Sequence, residues 1–459
     1  MISFGDQTIV AGRPTRRTLL RFGLPALGAA WPGLCAADAS PLLRDRAVIF
    51  LFMHGGPAQQ ETFDPKPDAP AGIRSVTGAI PTTVPGLQFG GTFTQLERRA
   101  HLFTVVRSFV TGDGNHDIKP VVGATTGRAN LGALYARVAG PFRPASALPP
   151  AAVLFPTAVD AGAGPPITDF GNLTATGELG SACAPFVPGS GPFQEDLRLH
   201  LPAARLGDRR SLLDSLDHGR RWAESAAVKA GDGVRASAYE TLLGNAASAF
   251  DLDREDRDVV ARYDTAARFN VARIDPKWKN HRHYVDHGRS LGRLLLLARR
   301  LAERGCGFVT VTTSFVWDMH ADVNNAPMDV GMDYVGAPFD HAVATLIDDL
   351  EARGLRDRVL LVCCGEMGRT PTVNGAGGRD HWGGLAPLLL SGGGFGGGQV
   401  IGRSSRDGGE PASDPVTIPD LVSTVLATVL DPGRVRLVEG LPRQVHDALN
   451  RGRQIPGRS

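Results

Sequence analysis

The chain has 459 residues, of which 42% are hydrophobic and 21% charged, with a formal net charge of +2. These proportions belong to a globular protein and exclude a disordered or fibrous one. A near-neutral balance without a long basic run gives no support for nucleic acid as a partner. The first segment, Thr15-Arg16-Arg17-Thr18-Leu19-Leu20-Arg21, precedes an apolar stretch from Phe22 to Trp31 and the small residues of Ala37-Asp38-Ala39. Charge, apolar run and cleavage site in that order predict a secretory signal over residues 1–39. The paired arginines resemble the twin-arginine type. The expected location is therefore periplasmic or secreted, with residues 40–459 forming one mature domain. Cys35 follows Pro32-Gly33-Leu34, which fits a lipid-attachment box poorly. No other segment reaches the roughly 18 apolar residues that a membrane span needs.

Along the mature chain, Arg46–Met53 (RAVIFLFM) is a short, almost wholly apolar run that predicts a strand buried on both faces. His101–Phe109 and Ala151–Phe155 read as further strands. Between about 130 and 200 the chain is rich in Gly, Pro and Ala and lacks a period. With the helical patterns that follow, it forms an expected irregular and helical insertion over about 130–290. Helices are predicted at Arg209–Lys229, Ser237–Phe250 and Asp253–Tyr263, the last with an acidic first turn. Then come a helix at Leu291–Arg304, a strand at Gly307–Ser314, a helix at Phe339–Arg353, strands at Arg358–Cys364 and Ala386–Ser391, and a helix at Ile418–Leu430. This alternation predicts an α/β fold with a parallel sheet and right-handed crossovers. Cys363 and Cys364 lie in an apolar strand on opposite faces and read as small buried hydrophobes.

In open α/β sheets the chemistry collects beyond the carboxyl ends of the strands. Those positions carry His54, then Asp113–Asp117 with His116, then Asp318 and His320, then Glu366 and Arg369, and His381 shortly after. A divalent ion takes three or four N and O donors, and imidazoles mixed with carboxylates supply them. Asp318, His320, Glu366, His381 and His54 are the candidate metal ligands, and His116 and Arg369 the candidate catalytic residues. Arg369 either pairs with a carboxylate or holds an anionic substrate group bidentately. Asp340 and His341 are expected at the surface or behind the ligands. His281, His283 and His287 are expected on a solvated face. The run Gly392–Gly398 (GGGFGGG) lacks the spacing of a dinucleotide loop and reads as a flexible connection.

Four segments carry a family resemblance: VIFLFMHGGPAQQETFDPKP, NHDIKPVVGATTGR, LARRLAERGCGFVTVTTSFVWDMH and LIDDLEARGLRDRVLLVCCGEMGRTPTVNGAGGRDHWG. They resemble the bacterial family catalogued as domain of unknown function 1501, from about Ala47 to about Leu430. That family is related to the sulfatase and alkaline phosphatase superfamily. The resemblance implies a three-layer α/β/α fold with a mostly parallel sheet. It also implies a divalent metal centre (zinc, calcium or magnesium) acting on a small-molecule or polysaccharide ester. Asp318 and His320 resemble one Asp/His ligand pair of that superfamily, and His381 its last histidine. Glu366-Met367 keeps the carboxylate of a second pair and lacks the histidine. Thr126-Gly127-Arg128 is present, but Asn115–Pro120, where the nucleophile would stand, has no Cys, Ser or Thr, and the nearest hydroxyl is Thr111. Two functions follow as expectations: a metal-dependent phosphate or sulfate ester hydrolase using activated water, or a catalytically degenerate binding or envelope-assembly protein.

Overall fold

The computed structural model describes residues 40–140, 148–189 and 246–458, with Arg205 and Asp208 between them. The expected signal over 1–39, the expected helix at 209–229 and most of the one at 237–250 lie outside the described residues. Seven strands form the central sheet: β1 (Ala47–Phe52), β2 (Thr104–Val106), β3 (Ala151–Leu154), β4 (Phe308–Thr312), β5 (Val359–Cys364), β6 (Leu388–Gly392) and β7 (Gln399–Ile401). Their spatial order is β7-β2-β6-β5-β1-β4-β3. β1 runs parallel to both neighbours, β4 and β5. β3 is parallel to β4, and β7 to β2. Only β6 is reversed, antiparallel to β5 and to β2. The reason lies in its connection. A two-stranded ribbon, Gly368–Arg369 with His381–Trp382, turns the chain back at the same end of the sheet, and a parallel partner would need a crossover to the far end.

The main helices are α1 (Leu131–Ala139), α2 (His281–Glu303), α3 (Ala337–Ala352), α4 (Ile418–Val429) and α5 (Arg443–Asn450). All six residues of β1 and of β5 are buried, as an apolar run without alternation requires when both faces are covered. Alternate side chains go to different cores. Ile49, Leu51 and Met53 pack with Leu294, Leu297 and Leu301 of α2 and Phe339 and Val343 of α3. Val48, Phe50 and Phe52 pack with Leu131 and Leu134 of α1, Leu421 and Val425 of α4 and Val445 of α5. The fold is thus a mixed α/β structure around a mostly parallel sheet. Cys363 and Cys364 are buried free thiols, one in each core.

Several expectations need correction. The run at 101–109 is broken, with a 3-10 turn over Glu97–Leu102, then β2, then a two-residue strand Phe109–Val110. Arg107 leaves the strand because its guanidinium donates to the carbonyl of Phe63. The helical segment at 253–263 begins only at Arg257, where the Asp256 carboxylate caps the Asp258 and Val259 N–H groups. α2 starts at His281 and not at Leu291, because Tyr284 and His287 extend the buried stripe of Leu291, Leu294 and Leu297 into the polar segment. His287 is therefore in the core, with Nε2 3.1 Å from the carbonyl of Val335, and not on a solvated face. Asp340 and His341 are also buried. Asp340 accepts the Gln95 and Leu96 N–H groups, and His341 Nε2 lies 2.8 Å from the carbonyl of Arg262. Residues 392–395 of the glycine-rich run are buried, Gly392 ending β6 and the turn towards β7 following it. Among the described residues no helix is long and apolar enough to cross a membrane.

Candidate metal centre

The carboxyl ends of β1, β4 and β5 lie side by side, and the segments that leave them meet. The loop after β1 must pass against the loop after β4. A Cβ on Gly55 would stand 2.6 Å from the backbone N of Asp318, and Gly55 adopts a φ of +112°. Glycine is required there on both counts. The loop after β4 starts with Ser314 and Phe315, both at φ +60°, a left-handed conformation unusual for a bulky residue. It is held by the Phe315 ring, which lies edge-on to His54 and His116 and stacks on Phe170 at 4.5 Å. His381 arrives on the second strand of the ribbon, paired in register with Arg369.

Four side chains converge: His116, Asp318, His320 and His381 present ligand-type atoms that all lie within 4.8 Å of one another. Around Asp318 Oδ1 stand His320 Nε2 at 2.7 Å, His116 Nε2 at 3.2 Å and His381 Nε2 at 3.4 Å. Asn325 donates to the other oxygen, Oδ2, at 2.9 Å. Burial opposes the charge on Asp318. The close approach of the three histidines and of the Arg369 guanidinium outweighs that penalty and holds the carboxyl far below the usual carboxylate range.

Glu366 has a different place from the one expected. Its carboxylate accepts the Gly55 N–H at 3.0 and 3.2 Å and lies 3.0 Å from His116 Nδ1. A proton on Nδ1 directed at Glu366 leaves Nε2 as the lone-pair nitrogen. Although 3.2 Å from Asp318, Nε2 is out of hydrogen-bond alignment and is a buried nitrogen with no hydrogen-bond partner among the described residues. Carboxylate behind, imidazole between and free nitrogen in front is how metal-binding histidines are oriented. Burial lowers the pKa of His116, but its two carboxylate neighbours reverse this and raise it. For His381 the contact with Asp318 favours the cation, and burial with the charges of Arg369, His116 and His320 overrides it, so its pKa is lowered. His320 Nδ1 lies 3.6 Å from Asp380.

Arg369 is fully buried and cannot reach a substrate. Its Nε donates to the Gly56 carbonyl at 2.8 Å, Nη1 donates to the Arg379 carbonyl at 3.2 Å and lies 3.4 Å from His320 Nε2, and Nη2 donates to Asp318 at 2.6 Å and to the Gly55 carbonyl. Gln59 holds its backbone on both sides, accepting its N–H and donating to its carbonyl. The expected anion-binding role gives way to that of a clamp on Asp318. His54 is not one of the four converging residues. It is buried against Phe52, Phe315 and Phe170, its Nε2 has no hydrogen-bond partner among the described residues, and burial lowers its pKa. Among the described residues the Thr111 hydroxyl reaches only the Asp113 carbonyl, at 3.4 Å.

Glu61 and Arg379 were not legible as a pair. Both are fully buried and meet at 3.0 Å. Arg379 also donates to the carbonyls of Ile73 and Arg74, and Glu61 accepts from Ser75, Val76 and Thr77. The pair ties the loop after β1 to the ribbon that carries His381. The available signal was the unbroken polar run Gln59-Gln60-Glu61-Thr62 shortly after a strand, every residue of which is buried.

Among solved structures, a PsFucS1 sulfatase from Pseudoalteromonas sp. matches with a TM-score of 0.37 and 12% identity, over 84% of this chain and 68% of that one. No curated protein matches. The family model described as "Protein of unknown function (DUF1501)" matches residues 45–454. A match over that much of the sequence makes this chain a member of the DUF1501 family.

Proposed function

We propose that the chain is an exported, metal-dependent hydrolase of phosphate or sulfate esters, small or polysaccharide, with helices on both faces of the sheet in a three-layer α/β/α arrangement. The observation that carries this reading is the convergence of His116, Asp318, His320 and His381 within 4.8 Å, with a carboxylate behind His116. Three imidazole nitrogens and one carboxylate oxygen suit zinc or a similar transition ion. Calcium and magnesium prefer all-oxygen sites. Such an ion would supply Lewis acidity and lower the pKa of a bound water. The protein's own residues do the rest. Glu366 holds the tautomer of His116, Arg369 and Asn325 fix the Asp318 carboxylate, and the Glu61–Arg379 pair fixes the ribbon that carries His381. Among the described residues, none of the hydrogen bonds of these four side chains goes to a hydroxyl or thiol side chain, which favours water over a covalent nucleophile.

Metal analysis of gently purified protein tests the centre, with about one equivalent expected. Less than about a tenth of an equivalent, with none taken up on dialysis against zinc, overturns it. A second reading, a degenerate binding or assembly module, is favoured by one observation: the arginine of the cluster is saturated by protein carbonyls and Asp318 and offers nothing to an anionic ester. A panel of aryl phosphate and sulfate esters separates the two. Metal-dependent turnover that His320→Ala abolishes excludes the binding module. Stoichiometric metal without turnover of any ester excludes the hydrolase.

A further inference from the structure

At the opposite end of the sheet from the histidines, the amino ends of β1, β4 and β5 border a cavity of about 30 Å³ whose lining includes Arg44, Asp45, Arg46, Tyr135 and Arg358, with Arg458 beside it and outside the lining. A water needs roughly 10–15 Å³ of such space, so the cavity suits two or three waters or one small polyatomic ion, and not a nucleotide. Arg358 pairs with Asp45 at 2.9 Å. Among the described residues, no carboxylate is paired with Arg44, Arg46 or Arg458. These three are neighbours. Residue 458 bridges to Phe395, and a Cβ on Gly394 would stand 3.0 Å from Nη2 of Arg46. Nη2 of Arg458 is buried without a hydrogen-bond partner among the described residues.

We propose that this arginine cluster at the amino ends of the strands is a binding site for one small tetrahedral oxyanion, sulfate or phosphate. Guanidinium donors in a fixed fork match such an anion, and a buried charged donor left unpaired is destabilising. The electrostatics agree, since burial first and then the charges of Arg46 and Arg44 push the pKa of Arg458 down to about 10. That is the mark of a guanidinium set among like charges. The site is independent of the metal centre and does not rest on the proposed hydrolase activity.

Calorimetric titration of the full chain with inorganic phosphate and with sulfate, against chloride at matched ionic strength, tests the proposal. One saturable site per chain is expected, with thermal stabilisation that saturates over the same concentration range. Arg46→Gln and Arg458→Gln should each weaken binding by at least about tenfold. Without added anion, Arg46→Gln should unfold at the same temperature as the parent or higher, because a repulsion has been removed. His320→Ala should leave anion binding unchanged, which separates this site from product-like binding at the histidines. Equal responses to chloride and phosphate, or full binding retained in both arginine variants, overturn the proposal. So does loss of binding in His320→Ala.

Discussion

Glu366→Gln isolates the orienting carboxylate with almost no change of volume. In the parent, one carboxylate accepts the Gly55 N–H and faces His116 Nδ1 at 3.0 Å. A glutamine amide has one accepting oxygen. If that oxygen keeps Gly55, the amide N–H₂ faces His116 Nδ1, and the imidazole must move its proton to Nε2. The nitrogen aimed at Asp318, His320 and His381 then loses its lone pair. If the oxygen turns to His116 instead, the Gly55 N–H is left buried and unpaired, at about 1–3 kcal/mol. Either way the change falls on metal affinity. Loss of an outer carboxylate behind a metal-binding histidine weakens binding by about 10–100-fold, or roughly 1.4–2.7 kcal/mol. Competition for zinc against a chromophoric chelator reads this directly, with thermal unfolding of the metal-free forms as the control for folding. Zinc affinity within about twofold of the parent, in a variant of unchanged metal-free stability, would refute the orienting role of Glu366.

Three further outcomes rest on the same geometry. Glu61→Ala leaves the buried Arg379 guanidinium without its counter-charge and should destabilise the fold by about 3–5 kcal/mol, seen as a lower urea midpoint at unchanged slope; a loss below about 1 kcal/mol would mean that the carbonyls around Arg379 suffice. Gly55→Ala forces an L-residue to a φ of +112° with its Cβ 2.6 Å from the Asp318 backbone, and should lose at least about 1–2 kcal/mol of stability together with zinc affinity. Burial pushes the pKa of His287 from 6.5 down to about 4, so between those values the folded state binds fewer protons than the unfolded chain. Stability should therefore fall as pH drops from 6.5 to 4, by about 3 kcal/mol from this residue, and His287→Leu should flatten the curve. Glu255, held at about 2 by its arginine neighbours against the opposing effect of burial, loses its contribution only below pH 4.5, so the two windows overlap little. Identical pH profiles for parent and His287→Leu would contradict the burial of that ring.

The strands were legible because their burial is uniform. Runs such as AVIFLF and VLLVCC carry no alternation, and only a strand covered on both faces tolerates that. The rule that chemistry gathers at the carboxyl ends of parallel strands then pointed to residues that do converge. The sequence could not assign their order within the site. Glu366 and His116 stand 250 positions apart, and whether the carboxylate or the imidazole faces inward depends on how the Gly55 N–H captures the former. Arg369 was ambiguous for a similar reason, because its acceptors are mostly backbone carbonyls, which leave no trace in residue type. The polar half of α2 misleads because Tyr284 and His287 are buried among charged residues that face outward, and a window average sees the charges.

The crowding around one oxygen supplies the remaining argument for a cation. Asp318 Oδ1 has Arg369 Nη2 at 2.6 Å and three imidazole Nε2 atoms at 2.7, 3.2 and 3.4 Å. A carboxylate oxygen has two lone pairs and cannot accept four good hydrogen bonds. Arg369 takes one, so at most one imidazole can be satisfied by donating a proton. The other nitrogens must then present lone pairs to each other and to the carboxylate, a repulsive arrangement unless positive charge lies among them. Protons could supply that charge only as several imidazolium ions beside a buried guanidinium. The raised pKa of His116, between Asp318 and Glu366, admits one such cation; the lowered pKa of His381, whose contact with Asp318 is overridden by burial and the neighbouring charges, opposes a second. One divalent ion places the charge at the point where the lone pairs meet and leaves each imidazole neutral. Arg369, whose Nη2 holds this same oxygen and whose Nη1 lies 3.4 Å from His320 Nε2, then serves to hold the carboxylate in its ligating pose. Arg369→Lys, which keeps the charge and loses the fork, should therefore weaken zinc binding even though it removes no ligand, and unchanged affinity in that variant would show that Asp318 needs no such clamp.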